Sequence, residues 1–240
     1  VAALIVVLSV MNGFQKEVRD RMLSVLSHIE VIATGPPMLD WKSVLEQSKR
    51  NPLVVDGAPY VSGQAMLTRD DSVRGVLVRG IDPALEPRVS ELAAQVIRGK
   101  LEALAPGEFG VAIGGVLAQQ IHVDLGDRIA LIAPQGTVTP AGVVPRVRQF
   151  KVVAIFQSGH YEYDSSLVLT SLEDAGKLFR VEGVSGLRLR TTDMQQAPMV
   201  AAELGSRLDQ SLFARDWSRE NRNWFAAVQI EKRMMFIILT

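Results

Sequence analysis

The 240-residue sequence contains no cysteine. This absence excludes disulfide bonds, thiolate metal ligands and cysteine nucleophiles together. The sequence also lacks a net charge, because 26 lysine and arginine residues balance 26 aspartate and glutamate residues. Non-specific nucleic-acid binding depends on neutralising phosphate groups, so a neutral chain is a poor candidate for that function.

The motifs of nucleotide-binding proteins and common hydrolases are missing as well. Gly99-Lys100 and Gly176-Lys177 are each followed by leucine, where a P-loop requires serine or threonine. The glycines around Gly114 lack the spacing of a dinucleotide fingerprint, and neither H-E-x-x-H nor G-x-S-x-G occurs. The sequence therefore predicts no ATP binding through a P-loop, and none of these motifs points to a catalytic site or a cofactor.

One short segment, HYEYD at 160–164, keeps a metal-dependent enzyme open as an alternative. If the segment were a strand, His160, Glu162 and Asp164 would share one face, and their side chains are suitable metal ligands. The competing interpretation is a hydrogen-bonded turn, because Ser158-Gly159 directly precedes the segment.

Both ends of the sequence are apolar. Residues 1–11 contain one polar side chain, Ser9, and residues 234–240 carry no charge. A membrane-spanning helix needs about 20 apolar residues, so neither run is long enough alone. We expect 1–12 to be the end of one transmembrane helix and 234–240 the start of another, which places the intervening chain on one side of the membrane. The alternative is that both runs are ordinary buried elements.

The segments beside these runs are predicted to be stalk helices. Between 13 and 28, apolar residues recur at helical spacing and polar residues fill the other positions. Between 217 and 233, Trp217 and Trp224 precede Glu231-Lys232-Arg233, which is typical of a membrane–water interface. For the tryptophans alone, a core stripe is the alternative.

The middle of the chain predicts an α+β fold in two parts. Residues 29–81 and 161–216 alternate strands with helices, and one helix is expected after Asp40 and another after the capping sequence at 171–174. Residues 82–160 are predicted to be an inserted β-rich subdomain, in which apolar residues from Val89 to Ile97 mark a short helix. The two outer pieces are expected to form one sheet layered with helices.

A long uncharged arm at 134–145 links strands predicted at 128–133 and 147–156. Hairpin loops usually have about 2–5 residues, whereas this arm contains three prolines and two glycines. Arg146 and Arg148 stand at its base. A preformed hairpin that docks into a partner is one interpretation, and a loop packed on its own domain is the other.

Taken together, these motifs resemble those of lipoprotein-releasing ABC transporter permeases of the LolC/LolE type. The similarity is carried mainly by Val153–Phe156, Ser158–Ser166 and Ser171–Ala175. Shorter matches occur along the whole chain, at Met11–Phe14, Gly80–Pro83, Gly126–Asp127, Asp216–Trp217 and Gln229–Met235.

The resemblance implies a MacB-like periplasmic core with a Porter-like α+β subdomain at 29–81 and 161–216 and a Sabre-like β-rich subdomain at 82–160. It implies location in the inner membrane, with this domain in the periplasm. The implied partners are the periplasmic lipoprotein carrier LolA, a LolD-type ATPase subunit, a second LolC/LolE-type permease subunit and the lipoprotein cargo. A MacB- or FtsX-type permease acting on another substrate or partner is the alternative.

The resemblance also implies that the arm at 134–145 is a carrier-binding hairpin, the hook. Residues 139–145 match the family pattern T-P-x-G-x-x-P, and the family places a basic and polar pad beside the hook. The implied hook residues are Thr137, Val138, Thr139, Pro140, Ala141, Gly142, Val143, Val144 and Pro145. The implied pad residues are Arg146, Arg148 and Gln149.

Overall fold

The structure is a computed structural model that describes the backbone of residues 27–139 and 142–220, and the side chains of 27–134 and 145–218. The transmembrane segments predicted at 1–12 and 234–240 lie outside the described residues, as do most of the stalks predicted at 13–28 and 217–233. Within the described part of the chain, no helix has the length and hydropathy needed to cross a membrane.

The described residues form ten strands and six α-helices. The strands are β1 (Ile29–Ala33), β2 (Val54–Arg69), β3 (Ser72–Ile81), β4 (Val96–Gly99), β5 (Gly110–Gly114), β6 (Arg128–Thr139), β7 (Gly142–Phe156), β8 (Leu167–Ser171), β9 (Gly186–Thr191) and β10 (Leu212–Asp216). The helices are α1 (Trp41–Ser48), α2 (Gly115–Gln120), α3 (Tyr161–Ser166), α4 (Leu172–Phe179), α5 (Ala197–Arg207) and α6 (Trp217–Glu220).

All ten strands belong to one sheet. Its order is β10-β1-β9-β2-β3-β8-β5-β7-β4, and β6 pairs with both β2 and β7 outside that path. Two neighbouring pairs are parallel, β3 with β8 and β5 with β7, and the other pairs are antiparallel. The predicted α+β class is therefore confirmed.

The sheet is covered unequally on its two faces. Helices α1 and α5 pack on β1 and β9, around Val31 and Leu189. On the same face, α2 and α4 pack on the longer strands, around Leu67 and Phe150. The opposite face is covered by the irregular segment between β3 and β5, around Leu104. Helices α1, α2, α4 and α5 therefore lie on one face, and the other face is covered mainly by irregular turns.

The sheet has no break at the predicted boundary between the two subdomains. Strand β8, from the predicted outer part, lies between β3 and β5. One hydrophobic cluster joins Val168 of β8 and Leu178 of α4 to Val111 of β5 and Phe150 of β7. The assignment of 29–81 with 161–216 and of 82–160 to separate subdomains stays a prediction.

Local predictions succeed where a short signal decides the structure. The Asp40 carboxylate accepts a hydrogen bond from the Ser43 amide at 3.3 Å and begins α1 as expected. The short helix predicted from Val89 to Ile97 is wrong, because 3-10 turns at 86–88 and 92–95 lead into β4. Val96 pairs with Phe156 at the sheet edge, so backbone pairing overrides the apolar spacing.

Trp217 is a core residue. This agrees with the core-stripe alternative and not with a position at the membrane–water interface. Its side chain is buried beside Met194, and its indole Nε1 donates to the Met194 carbonyl at 3.0 Å. Burial with a satisfied N–H is the usual state of a core tryptophan. Trp224 lies outside the described residues.

Candidate functional site

The predicted arm at 134–145 is part of a β-hairpin and not a loop. Strands β6 and β7 continue to pair as far as Thr139 and Gly142. The last pair between β6 and the main sheet joins Ile132 to Met66 of β2. From Ala133 to Thr139 the hairpin therefore extends past its contact with β2, for roughly 20 Å at ~3.3 Å per residue.

The two prolines at the base of the hairpin lie where its register changes. Ala133 pairs with Arg146 but Thr137 pairs with Val144, so residues 134–136 stand opposite Pro145 alone. A bulge leaves some backbone groups unpaired, which makes it a suitable place for residues that lack an N–H. Pro134 and Pro145 are both exposed there.

The hairpin points towards the end of the sheet where the described chain enters and leaves. β6 is antiparallel to β2, whose first residues pair with the last residues of β9. That end of β9 lies beside Ile29 of β1, which pairs with Asp216 of β10. The hook predicted at the tip thus extends in the direction of the predicted stalks.

The residues assigned to the hook are placed by their backbone only. Thr137, Val138 and Thr139 pair with Val144, Val143 and Gly142. Pro140 and Ala141 lie outside the described residues, as do all hook side chains except that of Pro145.

The residues assigned to the pad are not all on one face. In the β6–β7 ladder, Arg146 and Arg148 lie on the same face as buried Phe150, because side chains alternate along a strand. Gln149 lies on the opposite face together with Val147. The structure therefore brings the two arginines together and separates them from Gln149.

Helix α4 adds two cations on the arginine side of the hairpin. It packs against β6 and β7, with Lys177 in its last turn and Arg180 directly after its end. Lys177 donates a hydrogen bond to Glu173 at 2.5 Å, and this bond raises the pKa of Lys177. The charge of Arg148 lowers the same pKa by a smaller amount. We call Arg146, Arg148, Lys177 and Arg180 the cationic surface. The sequence prediction missed Lys177 and Arg180, which lie far from the hairpin along the chain, and helical spacing does not relate them because Arg180 follows the helix in a left-handed conformation.

Arg146 is the least satisfied member of the cationic surface. Its Nε and Nη1 atoms are buried and have no hydrogen-bond partner among the described residues. Partial loss of hydration, and then the charge of Arg180, lower the pKa of the Arg146 guanidinium. Buried donors are rarely left unpaired in folded proteins, and the side chains of 135–144, which continue the same hairpin, lie outside the described residues.

The opposite face at the base of the hairpin is apolar. Val147, Met66 and Val73 expose 56%, 49% and 50% of their surfaces. Val147 of β7 pairs with Ile132 of β6, and Ile132 pairs with Met66 of β2. These three side chains form a row across three strands. The hairpin thus has a cationic side and an apolar side.

Helix α4 is held firmly at its start. The Ser171 Oγ accepts from the Asp174 amide at 3.1 Å, as the predicted capping sequence requires. The Asp174 carboxylate accepts from the amides of Gly107 at 3.0 Å and Phe109 at 3.2 Å. Lys177 Nζ lies 5.7 Å from the centre of the Phe109 ring, within the range of a cation–π contact. These bonds fix the position of the cationic residues of α4.

A cleft of about 1460 Å³ lies beside α4, between the helix and the turns at 36–41, 82–84 and 102–106. Its apolar lining includes Pro37, Leu39, Leu104 and Val181, and Lys177 and Arg180 also line it. The cationic residues of α4 therefore belong to both the hairpin side and the cleft side.

The segment HYEYD does not form the strand that a metal site would need. Residues 161–166 form α3, so His160, Glu162 and Asp164 do not share a strand face. The buried Asp164 carboxylate accepts from the Ser158 amide and hydroxyl, both at 2.7 Å. In the described part of the chain, no group of three histidine, aspartate or glutamate residues could hold a metal. The segment begins a short helix, and its Asp164 side chain closes the turn at Ser158–Gly159 before β8.

Comparison with known proteins identifies relatives of the whole chain. Residues 1–207 match the family described as the MacB-like periplasmic core domain. The chain is 46% identical over 242 residues to the lipoprotein-releasing system transmembrane protein LolC of Neisseria meningitidis serogroup B (strain ATCC BAA-335 / MC58). The alignment covers 100% of this chain and 58% of that protein, so the chain spans less than two thirds of that relative's length.

Two solved structures share the fold at low sequence identity. The extracellular domain of the noncanonic ABC-type transporter YknZ from Gram-positive bacteria matches with a TM-score of 0.52 and 12% identity, covering 78% of this chain and 99% of that chain. The periplasmic region of MacB from Actinobacillus actinomycetemcomitans matches with a TM-score of 0.51 and 11% identity, covering 85% of this chain and 94% of that chain. The MacB-like fold that the sequence predicted is confirmed.

Proposed function

The chain belongs to the MacB-like periplasmic core domain family, among the LolC/LolE-type permeases, and we propose that it recruits the lipoprotein carrier LolA in the periplasm. In this proposal the domain belongs to an inner-membrane ABC transporter that releases lipoproteins. The domain performs no covalent chemistry, and a separate LolD-type subunit hydrolyses ATP.

The observation that carries the proposal is the β6–β7 hairpin. It projects past β2, has the sequence T-P-x-G-x-x-P at its end and carries no charge between 134 and 145. Ordering a flexible segment on binding costs roughly 0.5–1.5 kcal/mol per immobilised side chain. A paired hairpin with prolines at its bulge avoids part of that cost. Its apolar end is suited to act as an anchor in a pocket of the carrier.

The arrangement of the chain ends supports a role in coupling. β1 and β10 are neighbours, so both predicted stalks leave the sheet at one place. Motion of the membrane helices, driven by the ATPase subunit and shared with a second LolC/LolE-type permease subunit, would reach the domain through these two strands. The carrier held by the hook would then receive the lipoprotein cargo extracted from the inner membrane.

The alternative is a MacB- or FtsX-type permease for another substrate. The fold alone supports it equally, because the MacB and YknZ domains share that fold. The hook sequence and the 46% identity to a LolC protein favour the lipoprotein-releasing role.

A deletion of residues 136–144 tests the proposal. The strands are rejoined by a short turn, and binding of purified LolA to the domain is measured by calorimetry. We expect affinity to fall at least tenfold, about 1.4 kcal/mol. Thermal unfolding should change little, because the arm extends beyond the pairs between β6 and β2.

The control is a variant with Asp70→Asn and Asp71→Asn, at the tip of the hairpin formed by β2 and β3. This variant should bind LolA like the wild type. If the deletion variant folds and binds LolA at wild-type strength, the hook assignment is wrong. If the wild-type domain itself does not bind LolA, the proposed function is wrong.

A further inference from the structure

We propose that the cleft beside α4 binds an extended polypeptide segment of the lipoprotein cargo, one that combines apolar side chains with lysine or arginine. The identity of the partner rests on the proposed function. The cleft and its preference for a basic, apolar segment are inferred from the described residues alone.

The cleft lies at the ends of two neighbouring parallel strands. β3 ends at Ile81 and β8 ends at Ser171, and these two residues pair with each other. After β3 the chain passes to the face covered by turns, around Leu104, whereas after β8 it enters α4 on the face covered by helices, around Leu178. Parallel strands whose continuations separate to opposite faces leave a crevice at their carboxyl ends, and α/β sheets bind ligands in such crevices. The same geometry occurs here at one parallel pair.

The walls of the cleft come from both predicted subdomains. One wall is the turn at 36–41, in which Met38 exchanges two backbone hydrogen bonds of 2.8 and 2.9 Å with Val184. The other wall is formed by 82–84 and 102–106. Ligand pockets occur preferentially where two structural units meet.

The size and the apolar lining of the cleft suit a polypeptide segment. Its volume of about 1460 Å³ exceeds the ~300–1,000 Å³ of small-molecule sites. Leu39 lines one wall with 75% of its surface exposed, and Pro83 and Pro106 line the other wall. Exposed apolar surface in a concave site is typical of a binding groove.

The charges around the cleft favour a basic segment. The charged side chains that line it are the acids Asp82, Glu102, Glu173 and Glu182 and the bases Lys177 and Arg180. Glu173 is paired with Lys177. Among the described residues, Asp82, Glu102 and Glu182 form no ion pair, so three carboxylates stand against Arg180. Complementary charge selects a partner and excludes one of the wrong sign, and the lining is therefore complementary to lysine or arginine.

The position of the cleft favours the cargo as its occupant. β3 is antiparallel to β2 and β8 is parallel to β3, so both strands run towards the end of the sheet where β2 begins and where the predicted stalks attach. A lipoprotein is held in the membrane by its acyl chains, so the polypeptide next to them passes this end of the domain on its way to the hook.

The acyl chains themselves are unsuited to this cleft. They would remove water from the carboxylates of its lining without replacing the lost hydrogen bonds, which is costly. The polypeptide part of the cargo carries backbone amides and basic side chains that can replace them. LolA and the second permease subunit are the competing occupants.

Photo-crosslinking in the full-length permease tests the inference. The photoreactive residue p-benzoylphenylalanine replaces Leu39 in the cleft or, as a control, Met199 on α5, which is 58% exposed and does not line the cleft. Cells also produce one of two epitope-tagged lipoproteins. These differ only in the segment after the lipid-bearing residue, which alternates leucine with lysine in one and leucine with glutamate in the other. Adducts are identified with antibodies against the tag, LolA and both permease subunits.

We expect the Leu39 position to form an adduct with the lysine-containing lipoprotein, with a yield roughly fivefold above that of the glutamate-containing one, because the cleft repels negative charge. The Met199 position should give no lipoprotein adduct. The double variant Glu102→Lys/Glu182→Lys should reverse the preference, and both side chains are exposed, so the fold should be retained. Asp71→Lys, at the tip of the β2–β3 hairpin, should leave the preference unchanged.

Three results overturn the inference while the proposed function stands, provided that the wild-type protein binds LolA. They are the absence of a lipoprotein adduct at Leu39, equal yields for the two lipoproteins, and an adduct at Leu39 with LolA or the second permease subunit in place of the lipoprotein. If the wild type does not bind LolA, the proposed function is wrong. A lipoprotein adduct at Leu39 with the expected charge preference would then still support the cleft as a polypeptide site.

Discussion

Glu86 and Arg188 form an ion pair in the interior of the protein, 102 residues apart in the chain. Their side chains are 1% and 2% exposed. Glu86 comes from the turn after β3 and also accepts from the Ser90 hydroxyl at 2.6 Å. Arg188 comes from β9, so the pair ties the segment that covers one face of the sheet to a central strand.

The first prediction concerns this pair. Glu86→Leu leaves a buried guanidinium without its main partner and should lower the free energy of unfolding by about 3–5 kcal/mol. The double variant Glu86→Leu/Arg188→Met should recover much of that loss, because the guanidinium that lost its partner is removed as well. Urea unfolding of Glu86→Leu, of Arg188→Met and of the double variant gives the coupling energy. Strictly additive losses would contradict the pairing.

The second prediction concerns Gly114, where two backbones approach closely. A Cβ atom at this position would lie 2.2 Å from the carbonyl oxygen of Asp164. Gly114→Ala should therefore displace α3 and cost about 2–3 kcal/mol of stability, at the upper end for overpacking.

The matched control for this change is Gly205→Ala on α5, because no atom lies within 4 Å of the added Cβ. Alanine is the better helix former, so this variant should gain up to about 1 kcal/mol. Thermal or urea unfolding separates the two outcomes. A neutral Gly114→Ala would mean that α3 moves without cost.

The third prediction is a pH dependence from His28, which precedes β1. Burial, and then the charge of Arg190, lower the pKa of His28 from 6.5 to about 4. Its Nδ1 accepts from the Thr191 amide at 3.1 Å, which requires an unprotonated nitrogen. The unfolded chain takes up a proton below about pH 6.5 and the folded one only near pH 4.

Stability should therefore fall as the pH drops from 6.5 to 4, by roughly 3 kcal/mol at ~1.36 kcal/mol per pKa unit. His28→Asn keeps an acceptor for Thr191 without a titrating group, and this part of the slope should disappear. Urea unfolding at several pH values compares the two proteins. If the stability of the wild type and of His28→Asn falls in parallel with decreasing pH, the slope comes from other groups.

The fourth prediction concerns topology. The chain has no native cysteine, so Ser206→Cys on the exposed side of α5 introduces a single thiol. In the full-length permease, this thiol should react with an impermeant reagent in cells whose outer membrane alone is permeabilised. Labelling that requires lysis of the inner membrane would place the domain in the cytoplasm.

Local signals in the sequence predicted the elements that local forces determine. The caps at Asp40 and Ser171 begin helices as expected, and the apolar run at 110–114 is a fully buried strand. The alternation of side chains along β7 is also readable from the sequence, and it alone is enough to separate Gln149 from Arg146.

Long-range pairing could not be predicted in the same way. Nothing in the sequence of β8 indicates that it lies between β3 and β5, or that β6 pairs with β2. Helix α4 reaches the hairpin because Asp174 ties its start to the turn before β5 and because Leu178 packs in the cluster that contains Phe150 of β7. Such contacts depend on the whole sheet, and residue spacing within one segment does not indicate them.

The pairing of β1 with β10 determines how the domain responds to pulling. Ile29 and Asp216 are paired at one end of this ladder. Forces that separate the two ends would load the hydrogen bonds one after another, as in opening a zipper, and little tension would be needed. Forces that carry both ends in the same direction load the ladder as one unit. The domain is therefore stiff towards shared displacement of its attachments and weak towards their separation.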